Sequence, residues 1–328
     1  MKLSLCPQVL YPLARERGLG AALDAARELG VGAIELPLDA KSPLVDVEEL
    51  LAGGWKRLRA ELAARNLALS ALSVHQDGQL LLGPHHADTD AICAGTPADK
   101  IAHAERRLAQ AAELAQRLEV GVVVGFVGCE DYTRFFPWPD PAGWEKMRPV
   151  FRERVLRALV PFEESGSKAG VVFAQEPHPK QFVYNTETAL ESVQLLDGHP
   201  CWGFNLDPAN LMLAGVDAPL FAQELGARVK HVHAKDGELV AHNAARSGLF
   251  AHGPWDRPDR GFRFRIPGWG QVDWKRLIST LALGGYTGWL AIENEDPVFA
   301  PLDGIAKAVR ELEPLLPRGE RPTTERWW

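Results

Sequence analysis

The 328-residue chain contains no CxxC pair, and its four cysteines, Cys6, Cys93, Cys129 and Cys201, lie far apart. They read as small buried residues in a reducing compartment. No apolar run is long enough to span a bilayer. The start MKLSLCPQVL also lacks the basic region and long apolar run of a secretory signal, so the expected location is cytoplasmic with no membrane partner. Positive charge is scarce as well: 36 Lys and Arg against 43 Asp and Glu give a net charge of −7. Nucleic acid is therefore not expected as a partner, because its backbone is held by clustered cations. An early GxGxxG is missing, and so is any Ser/Gly-rich linker or break in composition. One domain is expected over 1–328, with a loop insertion at about 237–270 and a short C-terminal tail.

What the chain does contain is an alternation. Strand-like runs at 2–6, 32–38, 68–75, 121–128, 171–175, 201–207, 228–236 and 288–293 take turns with helical spacing at 21–30, 55–66, 99–120, 148–170, 186–196, 218–226, 272–285 and 304–316. Thr186 reads as the residue that opens its helix. Eight strands joined by helical crossovers imply a parallel sheet, and at this length a closed α/β (β/α)₈ TIM barrel fits better than an open sheet. A composition of 46% hydrophobic and 24% charged residues suits such a core.

In a barrel of this kind the C-terminal strand ends converge over one mouth. Here the fifth strand ends on Glu176, the sixth on Asp207, the seventh on His233 and the eighth on Glu293. Three carboxylates in one desolvated pocket repel each other unless something positive joins them. A single divalent metal ion held by Glu176, Asp207, His233 and Glu293 is the economical answer. The oxygen-rich set with one imidazole suits Mn²⁺, Mg²⁺, Co²⁺ or Zn²⁺. His233 and Glu293 are preferred to His231 and Glu295 because each lies nearest its strand end, which assigns His231 to the barrel interior. Asp236 either caps the next loop or holds a neighbouring side chain in orientation.

A cation in such a site can stabilise the ene-diolate that forms when a proton beside a carbonyl is removed. Glu176 and Glu293 are the candidate base and acid, and His178, two residues past Glu176, is an additional acid/base or hydroxyl-binding group. His75 ends the third strand pointing at the mouth and is a candidate for hydrogen bonding to substrate. Lys235 lies on the ligand-bearing face of its strand, placed to bind a substrate oxygen or to pair with Glu293. Arg263 and Arg265 are candidates to close over substrate. Trp138, Trp255 and Trp269 suit stacking on a sugar face; the competing use is a hydrophobic lid or the contact of a homo-oligomer.

Glu176, Asp207 within FNLDPANLM, His233 within HVHAKD, Glu293 within AIENED and the segment PGWGQVDW (267–274) together resemble the xylose-isomerase-like barrel superfamily of sugar isomerases and epimerases. The resemblance covers nearly the whole chain. It implies that the matching Glu, Asp, His and Glu bind one divalent metal and that the two Glu move protons on a keto-sugar. The apurinic-site endonucleases of the same superfamily carry Asp-x-x-His on the sixth strand and hold three zinc ions. This chain instead reads Asp207-Pro-Ala-Asn210, and its fourth strand has no His. In typical ketose epimerases that His contacts the sugar, which makes Asn210 a substrate-binding candidate here. The E-x-H-P arrangement of Glu176 to Pro179 is similar to a branch acting on oxidised sugars or glycosides, lyases included. The expected activity is a metal-dependent isomerase or epimerase of a keto-sugar. A lyase or dehydratase of a keto-sugar or 3-keto-glycoside is the alternative, ahead of an endonuclease or a non-catalytic carbohydrate-binding barrel.

Overall fold

Short apolar runs punctuated by helix caps set the architecture of the computed structural model, which describes residues 1–130, 141–164 and 170–319. Strands β1 (Lys2–Leu5), β2 (Ala33–Pro37), β3 (Ala68–Val74), β4 (Val122–Gly125), β5 (Val172–Gln175), β6 (Trp202–Leu206), β7 (Val229–Ala234) and, after a hairpin, β10 (Trp289–Ile292) form a closed parallel barrel in the order β1-β10-β7-β6-β5-β4-β3-β2. Most of their residues are buried, β2 and β6 entirely, as strands covered by helices on one side and packed into a barrel on the other must be.

The crossovers begin where the chain supplies caps. Thr96 and Asp99 form a reciprocal capping box at the start of the helix Pro97–Leu118, with Pro97 in its first turn. The helix Thr186–Leu195 is capped not by Thr186 but by Asn185, whose side chain accepts the Thr188 N–H at 2.8 Å. The helix expected from 148 starts earlier, at Pro141, and continues to Glu164. Between barrel and helices, Phe162, Phe173, Trp202, Phe204 and Phe221 follow one another in ring contacts with centroids 5.8–6.2 Å apart, a geometry that adds to the burial of their area.

One run expected as a single strand, 228–236, is two. β7 stops at Ala234, and β8 (Asp236–Leu239) leaves the barrel to pair antiparallel with β9 (Phe262–Arg265), matching Asp236 with Arg265. The helix Ala241–Ser247 lies within the hairpin's connection. Asp236, fully buried, holds the root of this hairpin. It accepts N–H groups from Gly237 (2.8 Å), Val272 (2.9 Å) and Gly268 (3.0 Å), and the Trp274 indole N–H at 2.9 Å. Gly270 is needed there, because a Cβ would sit 2.2 Å from Asp236 Oδ1. That contact is the reading of Asp236 as an orienting residue, realised on a loop.

Candidate metal centre

The C-terminal strand ends open into a cavity of about 560 Å³ whose lining includes His75, Glu176, His178, Asn210, Lys235 and Glu293. β5, β7 and β10 deliver Glu176, His233 and Glu293 to a common point. His233 Nδ1 lies 3.1 Å from Glu176 Oε2 and 3.4 Å from Glu293 Oε2.

Glu176 is held by donors on three sides. Asn210 Nδ2 reaches Oε1 at 2.8 Å, while Asn205 Nδ2 (2.9 Å) and His75 Nε2 (3.1 Å) reach Oε2. Burial alone would raise its pKa, but the charge of His233 and the hydrogen bond and charge of His75 outweigh it and hold Glu176 well below the usual carboxylate range. On His75 burial is likewise outweighed, by the hydrogen bond and charge of Glu176, and its pKa is raised. Asn210 also donates to Asp207 Oδ2 at 2.9 Å, so the residue standing where relatives of the endonuclease type carry His ties two of the carboxylates together.

Asp207 ends β6 and caps the short helix Pro208–Leu213, accepting the Ala209 and Asn210 N–H groups at 2.8 and 3.1 Å. Lys235 Nζ stands 3.0 Å from both Asp207 Oδ2 and Glu293 Oε2 and 3.3 Å from the half-exposed Glu295, under the ring of Phe264 at 4.6 Å. Although burial disfavours the ammonium, the surrounding carboxylates raise its pKa well above the usual value. On Glu293 burial is overcome by Lys235 and His233, which lower the carboxyl to about 2. Asp207 goes the other way: burial, with the charges of Glu176 and Glu293 added and only partly offset by Lys235, pushes it up to about 7.

Those features fit a dication. The site's carboxylates draw positive charge toward them: beside the Lys235 ammonium, burial disfavours the His233 imidazolium, yet neighbouring anionic groups, Glu35 and Glu176 among them, raise its pKa well above the usual value. The buried His233 Nδ1 makes no hydrogen bond among the described residues, and Glu293 Oε2 is met there by the Lys235 ammonium at 3.0 Å. Ligand atoms of Asp207, His233 and Glu293 all lie within 4.8 Å of one another, and so do those of His75, Glu176 and His233. Three carboxylates and one imidazole are a donor set for a hard or borderline divalent ion.

Below His233 lies a residue that sequence reasoning missed. Glu35, in the middle of β2 and fully buried, has Oε2 2.9 Å from His233 Nε2, 3.2 Å from His231 Nε2 and 3.9 Å from Cys6 Sγ. Burial works against its charge, but His233 and His231 prevail and hold its pKa well below normal. The available signal was a lone carboxylate inside the apolar run GAIELPL. His231 is interior, as expected, and faces Glu35. Asn205 was also missed; it shares with Asp207 the inward face of β6.

The remaining candidates divide. His178 lines the cavity, donates from Nδ1 to the Pro179 carbonyl and packs 5.2 Å from Phe126. Burial lowers its pKa, so the ring is neutral and its lone pair is on Nε2. Trp255 lines the outer cavity and stacks under Arg260 at 4.1 Å. Arg265 and Trp269 do not line it, which corrects the expectation that they meet substrate. Arg265 is turned toward Asp296 (2.9 Å) and Glu238 (2.8 Å) by its place at the end of the hairpin, and Trp269 packs on Phe299 with ring centroids 4.8 Å apart. Arg263 approaches Glu238 at 3.4 Å. Trp138 lies outside the described residues.

The chain is similar to YfiH of Bacillus subtilis (strain 168), with 28% identity over 317 residues, 88% of this chain and 92% of YfiH. A shorter match, 30% identical over 109 residues, is to the inosose dehydratase of Lacticaseibacillus casei, covering 33% of this chain and 36% of that enzyme. The solved structure of a D-allulose 3-epimerase from Methylomonas sp. has the same fold, with a TM-score of 0.65 at 15% identity over 96% of this chain and 98% of that one. Residues 23–315 match the family model described as xylose isomerase-like TIM barrel, and no helix among the described residues is long and apolar enough to cross a membrane. The protein with this acidic barrel mouth belongs to the xylose isomerase-like TIM barrel family.

Proposed function

We propose that the protein is a divalent-metal-dependent isomerase or epimerase of a keto-sugar or related polyol, acting by proton transfer at a carbon next to the carbonyl. The observation that carries this reading is the convergence of two ionised carboxylates, Glu176 and Glu293, at the cavity on His233 Nδ1, which makes no hydrogen bond among the described residues. Glu176, Asp207, His233 and Glu293 would hold the ion. When bound, a dication supplies electrophilic stabilisation of negative charge developing on substrate oxygens.

The chain's own groups supply the rest. Glu176 and Glu293 come from strands three places apart around the barrel, with β6 and β7 between them, so their carboxylates can address different faces of a bound ring. One takes the proton and the other returns it. Asn210, Asn205 and His75 fix the orientation of Glu176, a service that catalytic carboxylates require to stay in productive geometry. His178 Nε2, with its lone pair, accepts a hydrogen bond from a substrate hydroxyl. Lys235 donates to a substrate oxygen from the opposite side of the cavity.

Proton NMR in D₂O with a panel of keto-sugars and inososes tests the reading. The expected result is solvent deuterium at one carbon of a retained skeleton, dependent on added dication. A second reading, dehydration of a keto-polyol, is favoured by the local match to inosose dehydratase. It would appear in the same spectra as loss of a hydroxyl and a new vinyl signal. No exchange and no elimination with any member of the panel, in metal-loaded protein, would refute both.

A further inference from the structure

We propose that Glu35 is the positioning residue for the metal site: from beneath the barrel floor it fixes the tautomer and the ring plane of His233, so that Nδ1 is the nitrogen offered to the ion. The inference rests on the preceding reading that His233 is a ligand, and it concerns a residue of β2, a strand that contributes none of the four ligands.

An ionised carboxylate has only acceptor sites. In the neutral ring that an ion takes as a ligand, Glu35 Oε2 at 2.9 Å therefore keeps the proton of His233 on Nε2, and the lone pair lies on Nδ1, on the other edge of the ring. That edge faces Glu176 and Glu293 at 3.1 and 3.4 Å without a hydrogen-bond partner. A lone pair aimed at two carboxylates is repulsive by itself and becomes favourable with a cation among them. The contact spans the barrel interior: β2 and β7 are not neighbours, since β1 and β10 lie between them. A fully buried carboxylate in an apolar strand is strongly unfavourable unless it is paired. The pairing partners here are the two histidines of β7, and His231 at 3.2 Å keeps Glu35 from turning away. Carboxylates that accept the second N–H of a metal-bound imidazole orient it and raise its basicity, and losing them lowers metal affinity about 10- to 100-fold.

The test uses the full-length apoprotein titrated with Co²⁺, following visible absorption and competition with a chelator, for the parent, Glu35→Gln and Glu35→Ala. Both variants are expected to bind Co²⁺ about 10- to 100-fold more weakly, Glu35→Ala the more so, with a changed d–d spectrum. A merely structural Glu35 would lower thermal stability while leaving the dissociation constant and spectrum of the folded protein at parent values, and that result overturns the proposal. A measurement on the parent alone stands even if the variants fail to fold. In Zn²⁺-loaded protein, ¹⁵N–¹H correlation of the His233 ring should find the proton on Nε2 and the metal-shifted nitrogen at Nδ1. The reverse assignment overturns the proposal, and so does a thiolate-to-cobalt charge-transfer band, which would mean that Cys6, Glu35 and His233 bind the ion themselves. Failure of the parent to take up Co²⁺ would refute the metal reading as a whole, whereas equal uptake by parent and variants refutes the role of Glu35 alone.

Discussion

The carboxylates above His233 and the carboxylate below it live in different surroundings. Glu176, Asp207 and Glu293 gather around the Lys235 ammonium, and burial with the neighbouring carboxylates raises Asp207 to about 7, while on Glu293 burial is overcome by Lys235 and His233, which lower it to about 2. Glu35 is sealed away from the cavity, is held by two imidazoles, and has no competing carboxylate within hydrogen-bonding distance among the described residues. The upper tier draws positive charge toward it and accepts a ligand. The lower one is paired through Glu35 Oε2 with the imidazoles of His233 and His231, while its Oε1 makes no hydrogen bond among the described residues, and it serves to hold. His233 belongs to both, which makes it the point where they can be separated by experiment.

His233→Ala removes the shared residue and should have the largest effect. Metal content by elemental analysis should fall from one equivalent to near zero, and deuterium exchange should fall by about 10³-fold or more, since both the ion and its orientation are lost. Glu293→Gln touches only the upper tier. Exchange is expected to drop about 10²- to 10⁴-fold, the range for loss of a general acid or base, with the fold unchanged by circular dichroism. Lys235→Met removes the ammonium and leaves Asp207 and Glu293 buried and facing each other. Denaturant unfolding of the apoprotein should show a loss of about 3–5 kcal/mol, the usual consequence of breaking a buried ion pair, and a saturating dication should restore much of it. Arg265→Ala lies outside both tiers. It should lower stability by about 1–3 kcal/mol through Asp296 and Glu238 while the KM for substrate stays within about twofold, and a marked rise in KM would return Arg265 to the substrate.

Sequence reasoning reached the upper tier because a barrel makes a simple rule of its geometry: residues at C-terminal strand ends meet whatever their numbering. Glu176, Asp207, His233 and Glu293 could be placed on that rule, and the strands themselves were legible from apolar runs between helical spacings. Glu35 was not legible, because it lies mid-strand, where a carboxylate has no reason to be until closure of the sheet brings the imidazoles of β7 across the interior. Asn205 escaped similarly, as its amide matters only once Glu176 is beside it, and Asn210 was read as a group for substrate rather than as the donor to Glu176 and Asp207. The break at Lys235 was missed because the strand-like run HVHAKD was read through to Asp236, although the Asp236-Gly237 pair that follows is a turn signal. The partners of Arg265 were not legible for a related reason: the antiparallel register that turns it toward Asp296 and Glu238 depends on where the hairpin folds back.

The clamp at Asp236 separates two kinds of change in this molecule. Because four donors pin the segment immediately after Lys235, residues 240–261 can be lengthened, shortened or exchanged for those of a relative without disturbing the ammonium or the acids it balances. That segment carries Trp255 and Arg260 to the cavity's outer wall, so it is the natural place to graft a new preference onto an unaltered reaction centre.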